Sequence, residues 1–86
     1  MAKKKAAGLI SQADKKILKG LGNRVREARE RKKLSVYDIT GEDMPIKSRQ
    51  HWQAIENGQK NVNITTAFKV ARTLEIGVDE LLKGIG

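Results

Sequence analysis

Apolar residues along this chain recur at helical spacings and nowhere alternate with period two over a useful length, so the pattern predicts helices and no strands. Ile17, Leu18, Leu21, Val25 and Ala28 stand one, three, four and three residues apart, which is one stripe on a first helix ending near Lys32. Ser11 offers the N-cap, with Asp14 as an acidic capping-box partner. Gly20 and Gly22 each weaken this helix by roughly 1 kcal/mol relative to Ala, so a bend or restart is expected there. Leu34 is read as a buried connector. Ser35 and Asp38 then form a second capping box, and Val36 and Ile39 supply the inward side of a short helix that stops at Gly41. Gly41 to Lys47, GEDMPIK, is a loop, because Pro45 biases Met44 toward an extended backbone.

The stretch Ser48 to Gly58, SRQHWQAIENG, predicts a third helix with two unlike faces. Ser48 is a natural N-cap, and Gly58 a natural stop that tolerates left-handed backbone. Trp52 and Ile55, three apart, share the inward face. Arg49, Gln50 and Gln53 fall on the other face. Their planar donors suit bidentate contact with purine edges, arginine to guanine and glutamine to adenine. An apolar anchor beneath a row of such groups is the make-up of a DNA recognition helix; an ordinary solvated polar face is the competing reading. Gln59 to Val62 form a polar loop, and Asn63 caps a fourth helix with Ile64, Ala67, Phe68, Ala71 and Leu74 on one stripe and Val70 beside it. Phe68 is expected in the core. Ile76 and Gly77 make a turn, Val78, Leu81 and Leu82 form a last short helix, and Lys83 near its end suits the helix dipole. The expectation is an all-α domain of five helices over residues 11–86, preceded by a basic flexible arm at residues 1–10.

Composition narrows the function. Eighty-six residues make one small domain. With no cysteine and only His51 as histidine, there is no disulfide, thiolate metal site or multi-histidine metal site. No apolar run is long enough to span a membrane, and no apolar segment follows the N-terminal lysines as a secretory signal requires. A cytoplasmic protein is expected. The net charge of +8 is unevenly placed: residues 1–33 carry twelve basic against three acidic side chains, and residues 34–86 carry six against seven. That asymmetry suggests a polyanion partner, with a solubilising tail as the alternative. No enzyme is expected. There is no Ser/His/Asp set and no phosphate-cradling glycine loop, and Glu42 and Asp43 are loop neighbours rather than an acid/base pair. No cofactor is implied. A nonspecific nucleoid or RNA binder is a third reading, against which one Trp, one Tyr and one Phe, two of them expected in the core, leave little for single-strand stacking.

The run LGNRVREARERKKLS resembles the first helix and connector of Cro/cI-type (XRE-like) helix-turn-helix domains, the family of phage repressors, restriction–modification controllers and many antitoxins. SRQHWQAIENG is similar to that family's recognition helix with its closing E-N-G, and NVNITTAFKVARTLEIGVDELL to its last two helices. The resemblance covers about residues 18–82. It implies a five-helix, lambda-repressor-like bundle and a transcriptional regulator that binds double-stranded DNA, expected as a homodimer on paired half-sites. Leu82, Ile85 and the far side of the fifth helix are candidates for the dimer contact. At matching positions the resemblance implies base contacts from Ser48, Arg49, Gln50, Gln53 and Ala54. It implies phosphate contacts from Asn57, Lys60, Asn61 and the N-terminus of the second helix, Ser35 to Tyr37. It also implies an ion pair between Arg29 and Glu56, which fixes geometry more than it adds stability.

Other assignments stay open. Tyr37 has either a phosphate-bonding hydroxyl or a packing role. His51 bonds a phosphate, titrates as a pH switch, or is a solvated neighbour of DNA. Lys3, Lys4 and Lys5 are either a DNA-wrapping arm, similar to that of lambda-repressor-like proteins, or a solubilising tail. Two departures from the family pattern stand out. Val36 takes the place of a glutamine that commonly helps hold a phosphate. The turn before the recognition helix is about two residues longer than usual and carries Glu42 and Asp43, whose charge repels a phosphate backbone. Both favour the alternative of a protein-interaction module, an antitoxin or adaptor, on the same fold.

Overall fold

A computed structural model describes residues 12–85. The arm expected at residues 1–10 and the Ser11 cap lie outside them. Five helices follow in order: α1 (Gln12–Arg31), α2 (Val36–Ile39), α3 (Arg49–Glu56), α4 (Ile64–Leu74) and α5 (Val78–Leu82), with no strand among the described residues. The polar starts read from the sequence are made as hydrogen bonds. Ser35 Oγ accepts from the Asp38 N–H at 3.1 Å, and Asp38 Oδ2 accepts from the Ser35 N–H at 2.8 Å, closing the capping box. Hydrogen bonding to the Ser35 backbone N–H, and to its side chain, holds the Asp38 carboxyl below its ordinary range. Ser48 Oγ accepts from the His51 N–H, and Asn63 Oδ1 from the Thr66 N–H. Each cap satisfies a donor that the first helical turn leaves without a partner.

The core is one cluster centred on α1 and α3. Leu21, Val25 and Ala28 of α1 meet Trp52 and Ile55 of α3; Val70, Ala71 and Leu74 of α4 and Leu81 of α5 close it. Leu34 and Val36 pack half-buried at its edge. Ile46, read from the sequence only as loop, is buried in it. That anchor explains how the long turn keeps its shape: Ile46 plugs the core, and the Gly41 N–H donates to the Lys47 carbonyl at 3.0 Å across the loop's base. Glu42 and Asp43 are exposed at its tip.

The bend or restart expected at Gly20 and Gly22 does not occur; α1 is uninterrupted through both. Gly22 has a packing reason instead. A Cβ there would collide with the carbonyl oxygens of Ile55 and Glu56, so α1 and α3 approach too closely for any side chain. Gly58 completes the contact from the other side. It takes φ +70°, and a Cβ there would stand 2.9 Å from Lys19 Cα. Arg24 ties the middle of α1 to the end of α5, donating to the carbonyls of Lys83 at 2.6 Å and Glu80 at 3.3 Å. The helix-end carbonyls of α5 thus find a cationic donor.

The expectation for Phe68 is corrected. It is 53% exposed, and Ile64, one turn before it, is 62% exposed. The buried face of α4 is Ala67, Val70, Ala71 and Leu74. The apolar sector of α4 is wider than one contact face, and spacing alone does not say which edge turns inward. Ile17, expected on the α1 stripe, is likewise 41% exposed. Ile17, Ile64 and Leu82 share the rim of one apolar groove of about 250 Å³ between α1, α4 and α5. Ile85 is half-buried and packs against the core, 3.8 Å from where a Gly20 Cβ would stand.

Candidate nucleic-acid interface

The site is built from the buried side of α3 outward. Trp52 is fully buried, and its register with Ile55 leaves the opposite side of the helix free. Arg49, Gln50 and Gln53 are all exposed there, while Ala54 and His51 are half-buried. Glu56, only 5% exposed, is held from three directions. Arg29 grips it in a two-point contact, Nε to Oε2 at 2.6 Å and Nη2 to Oε1 at 3.0 Å. Trp52 Nε1 donates to Oε2 at 2.7 Å, and Arg26 Nε stands 3.6 Å from Oε1. Burial alone would push the Glu56 carboxyl up. The donors from Arg29 and Trp52 and the two positive charges outweigh it and hold the group below the usual carboxylate range. The same hydrogen bond drives the Arg29 guanidinium further up. Arg29 also donates to the Leu34 carbonyl at 2.9 Å, so one guanidinium joins α1, the connector to α2, and α3. No buried side-chain nitrogen or oxygen among the described residues lacks a partner.

Around this base lie the residues singled out by sequence. Ser48 is exposed and caps α3. Ser35 and Tyr37 are exposed at the start of α2, although Ser35's hydroxyl and amide are both engaged in the capping box. Asn57 is the C-cap of α3; its Oδ1 accepts from Arg26 Nη2 at 3.3 Å. Lys60 and Asn61 are exposed on the loop that follows. Lys3, Lys4 and Lys5 lie outside the described residues. The acidic tip, Glu42 and Asp43, sits on the loop between the two helices that carry Tyr37 and Arg49.

Three relationships were not read from the sequence. Trp52 and Glu56, four apart on α3, are joined by a hydrogen bond that spacing would allow but does not single out. Arg26 binds the Glu56 carbonyl at 3.5 Å as well as Asn57, setting a positive charge at the C-terminal end of α3; its place one turn before Arg29 was the available signal. The third is a contact between helices: the Arg49 guanidinium lies over the Tyr37 ring, 4.3 Å from its centroid.

A short helix, a turn and a second helix whose outer face is polar, clamped on a longer first helix by a part-buried arginine–glutamate pair, define a helix-turn-helix domain; this chain belongs to the XRE/Cro-like helix-turn-helix family. Its fold is similar to that of the restriction-modification controller protein C.AhdI from Aeromonas hydrophila, with a TM-score of 0.67, 33% sequence identity, and coverage of 74% of this chain and 94% of that one. No protein-family model and no curated protein matches the chain. No helix among the described residues is long and apolar enough to cross a membrane.

Proposed function

We propose that this protein is a sequence-specific DNA-binding transcriptional regulator that acts as a homodimer in the cytoplasm, with α3 lying in the major groove. The observation that carries the reading is the division of α3: Trp52, Ile55 and Glu56 are locked beneath it, and Arg49, Gln50 and Gln53 stand together in solvent. Arg49 reads guanine, Gln50 and Gln53 read adenine edges, and Ser48 and Ala54 flank them. Lys60, Asn61, Asn57, His51 and the start of α2 at Ser35 and Tyr37 meet phosphates, with Lys3, Lys4 and Lys5 as an arm along the backbone. Family membership and the likeness to a restriction-modification controller support the class of function. The part-exposed apolar residues Ile17, Ile64 and Leu82 at its rim support a second copy packing against the α1–α4–α5 groove, since exposed apolar surface around a groove marks a contact surface.

Selection of duplexes from a random pool tests the whole reading. The expected outcome is a two-fold symmetric site whose half-sites lie about one helical turn apart. With that site in hand, Arg49→Ala relaxes preference at one base pair per half-site and costs about 1–3 kcal/mol. If it instead lowers affinity for every sequence alike, base reading by Arg49 is wrong. A protein-interaction module is the second reading, favoured by the exposed Glu42–Asp43 tip, whose charge opposes a phosphate backbone. Such a module binds random duplex poorly even at low salt, which a gel-shift measures.

A further inference from the structure

We propose that Tyr37 is a positioning residue for base recognition: its ring, and not its hydroxyl, steadies the Arg49 guanidinium in the attitude from which that group reads a base. The inference rests on the base-reading role given to Arg49 above. Tyr37 is 71% exposed, so the ring is not where it is in order to fill the core. What it touches is the guanidinium of the first residue of α3, at 4.3 Å from ring centroid to Cζ. The two residues belong to different helices, and their meeting depends on the loop between them. The Gly41–Lys47 hydrogen bond and buried Ile46 fix how the start of α3 returns to α2.

The chemistry of the contact suits the role. An exposed arginine samples many rotamers, and ordering it on binding weakens the complex. A carboxylate neighbour would order it too, but would occupy the in-plane N–H donors needed for the O6 and N7 of guanine. An aromatic face attracts the cation through its quadrupole and offers no in-plane acceptor, so the donors remain available. Tyr37 therefore restrains Arg49 without competing for what it reads. The hydroxyl takes no part in this, which separates the role from a phosphate contact.

Two substitutions at the exposed position, with folding checked by circular dichroism, test the inference in the full-length protein. Tyr37→Phe keeps the ring and removes the hydroxyl; Tyr37→Leu keeps apolar bulk and removes the aromatic face. Binding is measured to the selected site and to the same site changed only at the base pair that Arg49→Ala identifies. The expected result is that Tyr37→Phe preserves the affinity ratio between the two duplexes. Tyr37→Leu should lower that ratio about two- to fivefold, the range an exposed cation–π contact supports, and lower it no further in an Arg49→Ala background. A ratio lowered by Tyr37→Phe as far as by Tyr37→Leu would overturn the proposal, because the hydroxyl and not the ring would then carry the effect. An unchanged ratio in Tyr37→Leu would overturn it as well, leaving Arg49 as reader. If Arg49→Ala itself weakens all duplexes equally, the base-reading assignment falls and takes the role of Tyr37 with it.

Discussion

Trp52 and Glu56, one turn apart on α3, are joined by a 2.7 Å hydrogen bond from the indole N–H to a carboxylate that Arg29 of α1 also grips. The largest core side chain and the Arg29 guanidinium thus share one acceptor oxygen, Oε2 of Glu56. Trp52 is usually counted as apolar filling, but here it contributes a donor that makes a buried carboxylate tolerable. The arrangement orients α3: the indole goes down, the carboxylate faces α1, and the remaining side of the helix turns outward.

Removing the charge at this junction is expected to be costly. Glu56→Gln leaves part-buried Arg29 without its counter-charge, and should lower unfolding free energy by about 2 kcal/mol, between the cost of an exposed pair and that of a fully buried one. A urea titration followed by Trp52 fluorescence measures it. A loss below about 1 kcal/mol would mean the pair behaves as an exposed one.

The same group sets an acid limit. The folded Glu56 carboxyl titrates below its ordinary value of 4.5, so its contribution is complete above that pH and is lost as pH falls through the folded value. Wild-type stability should therefore drop more steeply than that of Glu56→Gln from about pH 4.5 downward. Parallel curves for the two proteins would mean other carboxylates carry the acid sensitivity.

Two glycines two residues apart, and so on opposite sides of α1, make a paired prediction. Gly20→Ala places its methyl 3.8 Å from Ile85, an ordinary contact, and should stabilise the helix by up to about 1 kcal/mol. Gly22→Ala drives a methyl into backbone carbonyls of α3 that have no rotamer to escape to. It should destabilise by about 2 kcal/mol or more despite the better helix former. Thermal melts of the two variants shift in opposite directions.

Ile64 separates folding from association. Because it is 62% exposed, Ile64→Ser should cost the monomer less than about 1 kcal/mol, whereas Leu74→Ala in the core should cost about 2–5 kcal/mol. If the α1–α4–α5 groove that Ile64 lines is the dimer surface, the same Ile64→Ser raises the dimer dissociation constant about tenfold in sedimentation, with α3 unchanged.

Lys60 tests the phosphate side of the interface. Lys60→Ala should weaken selected and random duplexes by the same factor and reduce the slope of log affinity against log salt by about 1. A loss restricted to the selected site would move Lys60 from phosphate to base contact.

Much of the fold is legible in the chain because its signals are local. The caps at Ser35, Ser48 and Asn63 need only a polar side chain three residues ahead of an orphan amide, and each forms as read. The inward face of α3 follows from the spacing of Trp52 and Ile55. What escaped depends on tertiary distance. Gly22 reads as a weak point of a helix until α3 is laid against it. Ile46 reads as loop until the core beneath it is known. Phe68 and Val70 exchange expected places because the wide apolar sector of α4 admits two rotations. The first and fourth helices stop close to where the spacing placed their ends, but they do so on left-handed residues that are not glycine, Lys33 with φ 60° and Glu75 with φ 59°, a backbone that residue type does not mark. The contact of Tyr37 with Arg49 spans two helices and a loop of unusual length, and no local pattern encodes it.

The seam at Gly22 and Gly58 has one further consequence. With only hydrogen between the two backbones, α3 cannot slide or rock on α1 to suit a poorly matched surface. In the proposed docking on DNA the domain meets the duplex as a stiff edge, and the accommodation falls to the nucleic acid. Duplexes that flex cheaply at steps no side chain touches should then be preferred over rigid ones of equal contact sequence.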